Sequence, residues 1–165
     1  MAASFGANAG LLKAIDNIEA QTDKFGVFDI LCAFGKGYGF KYVTVGQLVH
    51  PSLQGMDYAE LGVSNYPEEF QRKYIERNYL LHDPVINRAL VAQDAFAWAG
   101  LMTSATRRGR DIFDECRSYG MESGVTVPIH LQDRTPGLVS YAGKTVDLTV
   151  EEIEALELVG IHSYS

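Results

Sequence analysis

The sequence predicts an α+β domain in which helices cover an antiparallel sheet. Three observations carry that prediction. The apolar periodicity runs in the order helix, two strands, two helices, a short strand, a helix, two strands and a helix. The strands are joined by hairpin-like connections, which suit antiparallel pairing. A length of 165 residues suits a single domain, and no repeat, low-complexity tract or linker divides it, so residues 1–165 read as one unit.

Each element has its own signal. Leu11, Leu12, Ile15, Ile18, Phe25, Phe28, Leu31 and Cys32 recur at helical spacing over residues 11–34, with an irregularity expected near Gly26. The glycines of GKGYGF break that helix, and YVTVGQLV follows as a β-branched strand. MDYAELGVSNY reads as a second strand. Pro67 with Glu68 and Glu69 opens a helix expected to reach about Leu81, with Glu68–Arg72 and Glu69–Lys73 spaced for ion pairs. His82-Asp83-Pro84 interrupts it, and Asp83 caps a new helix, VINRALVAQ. FAWAG is a short strand, and residues 105–119 form a helix with Ile112, Phe113, Cys116 and Tyr119 on one face. GVTVPIHL and GLVSYAG flank the polar turn QDRTP as a hairpin. Thr149 and Glu152 make a capping box for the terminal helix.

Composition narrows the function. With 47% hydrophobic and 21% charged residues, the chain is globular, not disordered. Fourteen basic against 21 acidic residues give a net charge of −7, which argues against a nucleic-acid grip by this chain, since that needs a basic face. Arg107, Arg108 and Arg110 form a local basic cluster and read as a solvated loop. No apolar run approaches the roughly 20 residues of a membrane span, and the N-terminus lacks a signal's basic region. The expectation is a cytoplasmic domain with no membrane partner. Two cysteines are too few for a disulfide framework and read as reduced, buried thiols. The four histidines are scattered, so neither a metal nor a cofactor is expected. No nucleophile elbow, phosphate loop, dinucleotide fingerprint or zinc-protease helix is present, and the expected protein is not an enzyme.

One constellation stands out. Tyr66, Phe70 and Tyr74 recur every four residues along one helical face, Asp83 follows nine residues later, and Trp98, the only tryptophan, fifteen after that. Two phenols, an indole and a carboxylate on an apolar face can enclose a small amphipathic molecule. The same spacing also describes a helix packing its aromatic face on the sheet, with Asp83 serving only as a cap. Spacing alone leaves both open.

The ordered set SNYPEEFQRKYIERNYLLHDPV, FAWAG, GVTVPIH and GLVSYAG resembles the autoinducer-binding domain of LuxR-type quorum-sensing transcription regulators. The resemblance spans essentially the whole chain and is most specific between residues 64 and 143. It implies an α/β/α sandwich, akin to PAS and GAF domains, with a mainly antiparallel sheet flanked by helices on both faces. It implies an N-acyl-homoserine lactone ligand held between the sheet and one helical layer. By position, Asp83 accepts the ligand amide N–H, and Tyr66 and Ser140 bond the amide carbonyl region. Tyr74 lies along the amide and acyl chain, and Trp98 walls the lactone ring. Val85, Ile86, Phe113, Cys116, Met121 and Thr126 line the remainder. A homodimer is also implied, with the terminal helix over 150–162 a candidate interface, and DNA contact only through a C-terminal helix-turn-helix domain.

Two departures qualify the resemblance. Phe70 occupies the position where the family usually has a tryptophan whose indole N–H donates to the lactone carbonyl. Relaxed or altered ligand choice with retained binding is the expectation. The sequence also stops at GIHSYS without a recognition helix, which reads as a sensory domain cut from a longer regulator. The competing readings are a PAS- or GAF-like sensor for another small molecule, and a modulator that heterodimerises with a full-length regulator.

Overall fold

The computed structural model describes residues 2–48, 62–132, 135–144 and 147–164. Two helices come first, α1 (Ala2–Glu19) and α2 (Lys24–Gly37). The break between them precedes Gly26, because the Asp23 side chain accepts the Phe25 and Gly26 N–H groups at 2.8 and 2.9 Å and caps α2 there. α2 continues through Gly35 to Gly37, and the chain turns away after it at Gly39, whose φ of 91° only glycine adopts without strain.

The strands β1 (Tyr42–Gln47), β2 (Gly62–Ser64), β3 (Phe96–Ala97), β4 (Ser123–Ile129) and β5 (Gly137–Gly143) form one sheet in the order β2-β1-β5-β4-β3. Every pairing is antiparallel. The two-residue side-chain period then sorts the sheet into two faces. Val43, Val125, Val127, Ile129, Val139 and Tyr141 pack with Ala14, Ile18 and Leu31 of α1 and α2, and with Leu156 and Val159 of the terminal helix α7 (Val150–His162). The opposite face carries Thr44, Thr126, Leu138, Ser140 and Ala142. It is covered by α3 (Glu68–Glu76), α4 (Pro84–Val91) and α6 (Arg107–Ser118). Helices on both faces make the predicted α/β/α sandwich.

Several expectations need correction. The helix opened by Pro67 ends at Glu76; Asn78 adopts a left-handed φ of 55°, and a 3₁₀ turn follows at Tyr79–Leu81. Asparagine tolerates that conformation, so the reversal happens one turn earlier than apolar spacing suggested. A short helix, α5 (Ala99–Ser104), follows β3 in a stretch with too little apolar period to be seen. Trp98 therefore sits between β3 and α5 and not inside a strand. Arg107, Arg108 and Arg110 are exposed on the first turn of α6, not in a loop, because Thr106 caps the helix through the Gly109 N–H at 3.1 Å. Lys73 meets Glu69 at 3.8 Å as expected but lies nearer Glu115, at 2.9 Å, while Arg72 approaches Glu76 at 3.9 Å. Both cysteines are free; Cys116 is buried, but Cys32 only half so. Of the second predicted strand, residues 62–64 form β2 and residues 56–61 lie outside the described residues, as do 133 and 134 of the hairpin turn. The Thr149–Glu152 capping box forms in both directions, at 3.1 and 3.2 Å. Among the described residues, no helix is long and apolar enough to cross a membrane, and no cluster of metal-ligating side chains occurs.

Candidate functional site

The site lies between the sheet and the α3/α4/α6 layer. The four-residue spacing stacks Tyr66, Phe70 and Tyr74 along α3, with ring centroids 6.0 and 5.9 Å apart. After α3 the left-handed Asn78 and the 3₁₀ turn swing the chain back, which brings Asp83 under Tyr74. The Tyr74 hydroxyl donates to Asp83 Oδ2 at 2.5 Å. Asp83 Oδ1 accepts the Val85 N–H at 2.9 Å and caps α4, whose first residue is Pro84.

That carboxylate is buried. Burial pushes its pKa above the ordinary value, against the opposing pull of the Tyr74 hydroxyl and the Val85 and Ile86 N–H groups. Four lone-pair positions on a carboxylate can take more donors than these bonds use. A further N–H would therefore favour its charged form.

Trp98 is locked by the sheet. Its backbone N–H donates to the Gly124 carbonyl at 2.9 Å. Its indole lies over Gly124 so closely that a Cβ there would meet Cε2 at 2.4 Å. The indole N–H donates to Thr126 Oγ1 at 2.9 Å, and Thr126 Oγ1 lies 2.7 Å from Ser140 Oγ. Thr126 is fully buried. With the indole proton already directed at Thr126, the threonine's own proton finds its acceptor in Ser140, since a buried unpaired hydroxyl is costly. In that arrangement Ser140, which borders the cavity, keeps its own proton to donate.

The chamber has a volume of about 50 Å³ and adjoins a second cavity of about 310 Å³, the two sharing Thr44, Ser64, Gln71, Ile86 and Leu138. The first chamber is lined by the predicted Tyr66, Phe70, Tyr74, Asp83, Val85, Ile86, Trp98, Phe113, Cys116 and Ser140. Thr126 stands behind Ser140 and Trp98 rather than in the lining, and Met121 is buried in the same apolar cluster as Phe70, Tyr74 and Trp98 without lining the chamber. Sequence reasoning missed Thr44, Ser64, Gln71, Ile112 and Leu138. Ile112 and Leu138 were legible as apolar periodicity, whereas Thr44 and Ser64 gain meaning only from strand register. Burial raises the Cys116 thiol's pKa well above its usual range, so it packs as a small hydrophobe and carries no thiolate.

The geometry is that of a mostly apolar pocket bordered by a carboxylate and a hydroxyl. A family model described as "Autoinducer binding domain" matches residues 23–165. The chain belongs to the autoinducer-binding domain family. The sequence resemblance to LuxR-type quorum-sensing regulators is thereby borne out. The transcriptional activator protein AnoR of Acinetobacter nosocomialis is 26% identical over 129 residues, which cover 78% of this chain and 53% of that protein. The chain spans about half the length of the curated relatives it matches. Among solved structures, the N-acylhomoserine lactone-dependent LuxR-family factor CepR2 of Burkholderia cenocepacia superposes with a TM-score of 0.73 at 19% identity, over 93% of this chain and 88% of that one. SdiA in complex with octanoyl-rac-glycerol gives 0.74 at 19% identity, over 99% and 65%. At that identity the two structures establish the fold. As an autoinducer-binding domain, the chain places its candidate pocket on the face of the sheet opposite α1, α2 and α7.

Proposed function

We propose that this domain is the signal receptor of a quorum-sensing transcription regulator and binds an N-acylated amide of the acyl-homoserine lactone class. The observation that carries this reading is Asp83, a buried carboxylate with spare acceptor positions that borders an otherwise mostly apolar chamber. A ligand amide N–H would supply the missing donor, in a charge-assisted bond worth about 1.5–3 kcal/mol. Ser140 presents its proton for the amide carbonyl, and Tyr66 borders the same end. Tyr74 both holds Asp83 and flanks the ligand. Val85, Ile86, Phe113 and Cys116 surround the acyl chain, each buried methylene of which contributes about 0.8 kcal/mol. In the whole regulator, ligand burial would favour folding and homodimerisation, and DNA binding would belong to a separate C-terminal domain. The role is that of a receptor and not a catalyst, in keeping with relatives that are transcription regulators.

Phe70 bears on the head group. It is buried between Tyr66 and Tyr74 and has no N–H to offer a lactone carbonyl. The Trp98 N–H is committed to Thr126. Head groups other than a lactone therefore lose less here than in a pocket built with a donor, and the SdiA complex, with its octanoylglycerol ligand, is a case of this fold accepting one.

The test is to express the protein with and without added acyl-homoserine lactone and to extract and weigh the retained ligand by mass spectrometry. Stoichiometric retention is expected; a folded, ligand-free protein indifferent to the lactone would overturn the reading. Phe70→Trp is expected to strengthen binding of a lactone relative to its carbocyclic analogue by roughly fivefold, the equivalent of one hydrogen bond. Paired titrations of both ligands on both proteins measure that ratio.

A further inference from the structure

The helical wall of the chamber contains a seam between two helices. Phe70 and Tyr74 of α3 and Ile112, Phe113 and Cys116 of α6 all line the chamber, so parting α3 from α6 opens it. At about 50 Å³ the chamber has room for only a few waters. A lactone ring with its amide is larger, so a wall has to yield when such a head group enters. The local structure of α3 suits it to be that wall. It has nine residues, fewer than the roughly 12–15 that a helix needs to persist on its own in water. Side chains cap α2, α4, α6 and α7, but none caps α3, whose N-cap is Pro67. The buried side chains of α3 are Phe70 and Tyr74, the same two that line the chamber. Extended backbone at Pro67 and the left-handed Asn78 bound the helix, and such turns absorb the rotation of a pivot.

On the outer side of the seam, one carboxylate ties α3 down. Glu115 of α6 accepts from Lys73 Nζ at 2.9 Å through Oε1, and its Oε2 lies 3.6 Å from the Arg77 guanidinium. Lys73 and Arg77 are four residues apart, so successive turns of α3 meet the same group. The Lys73 and Glu115 side chains are 27% and 19% exposed, which leaves their pairing less screened than one in open water. Glu69, the partner of Lys73 within α3, is more distant at 3.8 Å and more exposed. Lys73 also lies over the Tyr119 ring, 5.4 Å from its centroid, and Tyr119 meets Phe70 edge-on at 5.8 Å. The ion pair, Tyr119 and Phe70 therefore form one contiguous stack from the surface to the chamber wall.

We propose that α3 is the lid through which the signal enters the chamber, and that Glu115, gripping Lys73 and Arg77, is its latch. The proposal rests on the receptor reading. None of the three latch residues lines the chamber, so the latch closes over an empty chamber and an occupied one alike. Breaking it speeds entry and exit together and leaves the affinity nearly unchanged. Loss of a side chain that supported only the bound state would instead raise the exit rate alone.

Trp98, the only tryptophan, lines the chamber and reports both rates by stopped-flow fluorescence. The experiment mixes octanoyl homoserine lactone with wild type, Glu115→Gln, Lys73→Met and the double variant. Glu115→Gln keeps the side chain's shape, and Lys73→Met keeps an apolar stem beside Tyr119. Each single variant is expected to associate and dissociate roughly three- to fivefold faster than wild type, as for one ion pair, with its dissociation constant nearly unchanged. The double variant should be no faster than Glu115→Gln, since both changes remove the same contact. Wild-type rates in the single variants overturn the lid and leave the receptor standing. Faster exit with unaltered entry does the same, as does acceleration that adds up in the double variant. A wild-type protein that binds no lactone overturns the receptor reading, and the lid with it.

Discussion

Asp83 is held by Tyr74 and Val85 and yet under-supplied with donors, and these two facts have opposite consequences for binding and for stability. Burial raises its folded-state pKa above the unfolded value. A carboxyl shifted that way holds its proton longer in the folded state, so its cost to folding appears as pH rises from the ordinary carboxylate range through the raised value, and then levels. Asp83→Asn removes that titration. The ligand-free variant is expected to melt higher than wild type at neutral pH and to lack the decline across that window, as measured by melting curves at stepped pH. The same change should weaken acyl-lactone binding roughly tenfold to a hundredfold, since a charged acceptor becomes a neutral one. Unchanged affinity would return Asp83 to a cap alone. A contrasting residue lies on the other face of the sheet. Tyr141 is fully buried and its hydroxyl has no hydrogen-bond partner among the described residues. Tyr141→Phe should stabilise the fold by about 1–3 kcal/mol, read by chemical denaturation, without altering ligand affinity. Tyr66, Tyr74, Asp83 and Trp98 were legible in the sequence because rare side chains kept a helical or motif spacing. Thr44 and Ser64 were not, because a threonine in a β-branched run is unremarkable until the register sets it opposite Ser140.

At the scale of elements, the pocket depends on a few close approaches that fix each piece of backbone. Trp98 closes one end because Gly124 lets the indole lie on β4, and because the β3–β4 pairing continues through the Trp98 N–H. Gly124→Ala places a methyl group within the indole's contact distance. The expected result is a loss of about 1–3 kcal/mol of stability, as for other overpacked sites, with a shifted tryptophan emission and weaker ligand binding. Unaltered emission and affinity would show that the indole has room to spare. The elements also mark the limit of sequence reading. The hairpin β4–β5, the Asp83 cap and the α7 capping box were visible because turn and cap chemistry is local. The early end of α3 and the existence of α5 were not. The first depends on a single left-handed asparagine, and the second is too short and too weakly periodic to stand out.

For the whole molecule, the two faces of the sheet divide the work. The face toward α1, α2 and α7 carries an apolar core of mainly aliphatic side chains around Tyr141. The opposite face sets hydroxyls, a carboxylate and aromatic rings around connected cavities, and a ligand there adds apolar contacts and hydrogen bonds that the chain does not supply to itself. On the proposed reading, that asymmetry would couple folding to signal binding. A ligand that binds only the folded state stabilises it by about 2.7 kcal/mol when present at a hundred times its dissociation constant. For a domain of this size, each kcal/mol raises the melting temperature by about 2–4 °C. The preferred acyl lactone is therefore expected to raise the melting temperature by about 5–11 °C at that concentration, while Asp83→Asn, titrated at the same ligand concentration, shows a much smaller rise. Scanning calorimetry over a ligand series measures both. A rise of equal size in the two proteins would mean that apolar burial alone couples signal to fold, and that the carboxylate has no part in it.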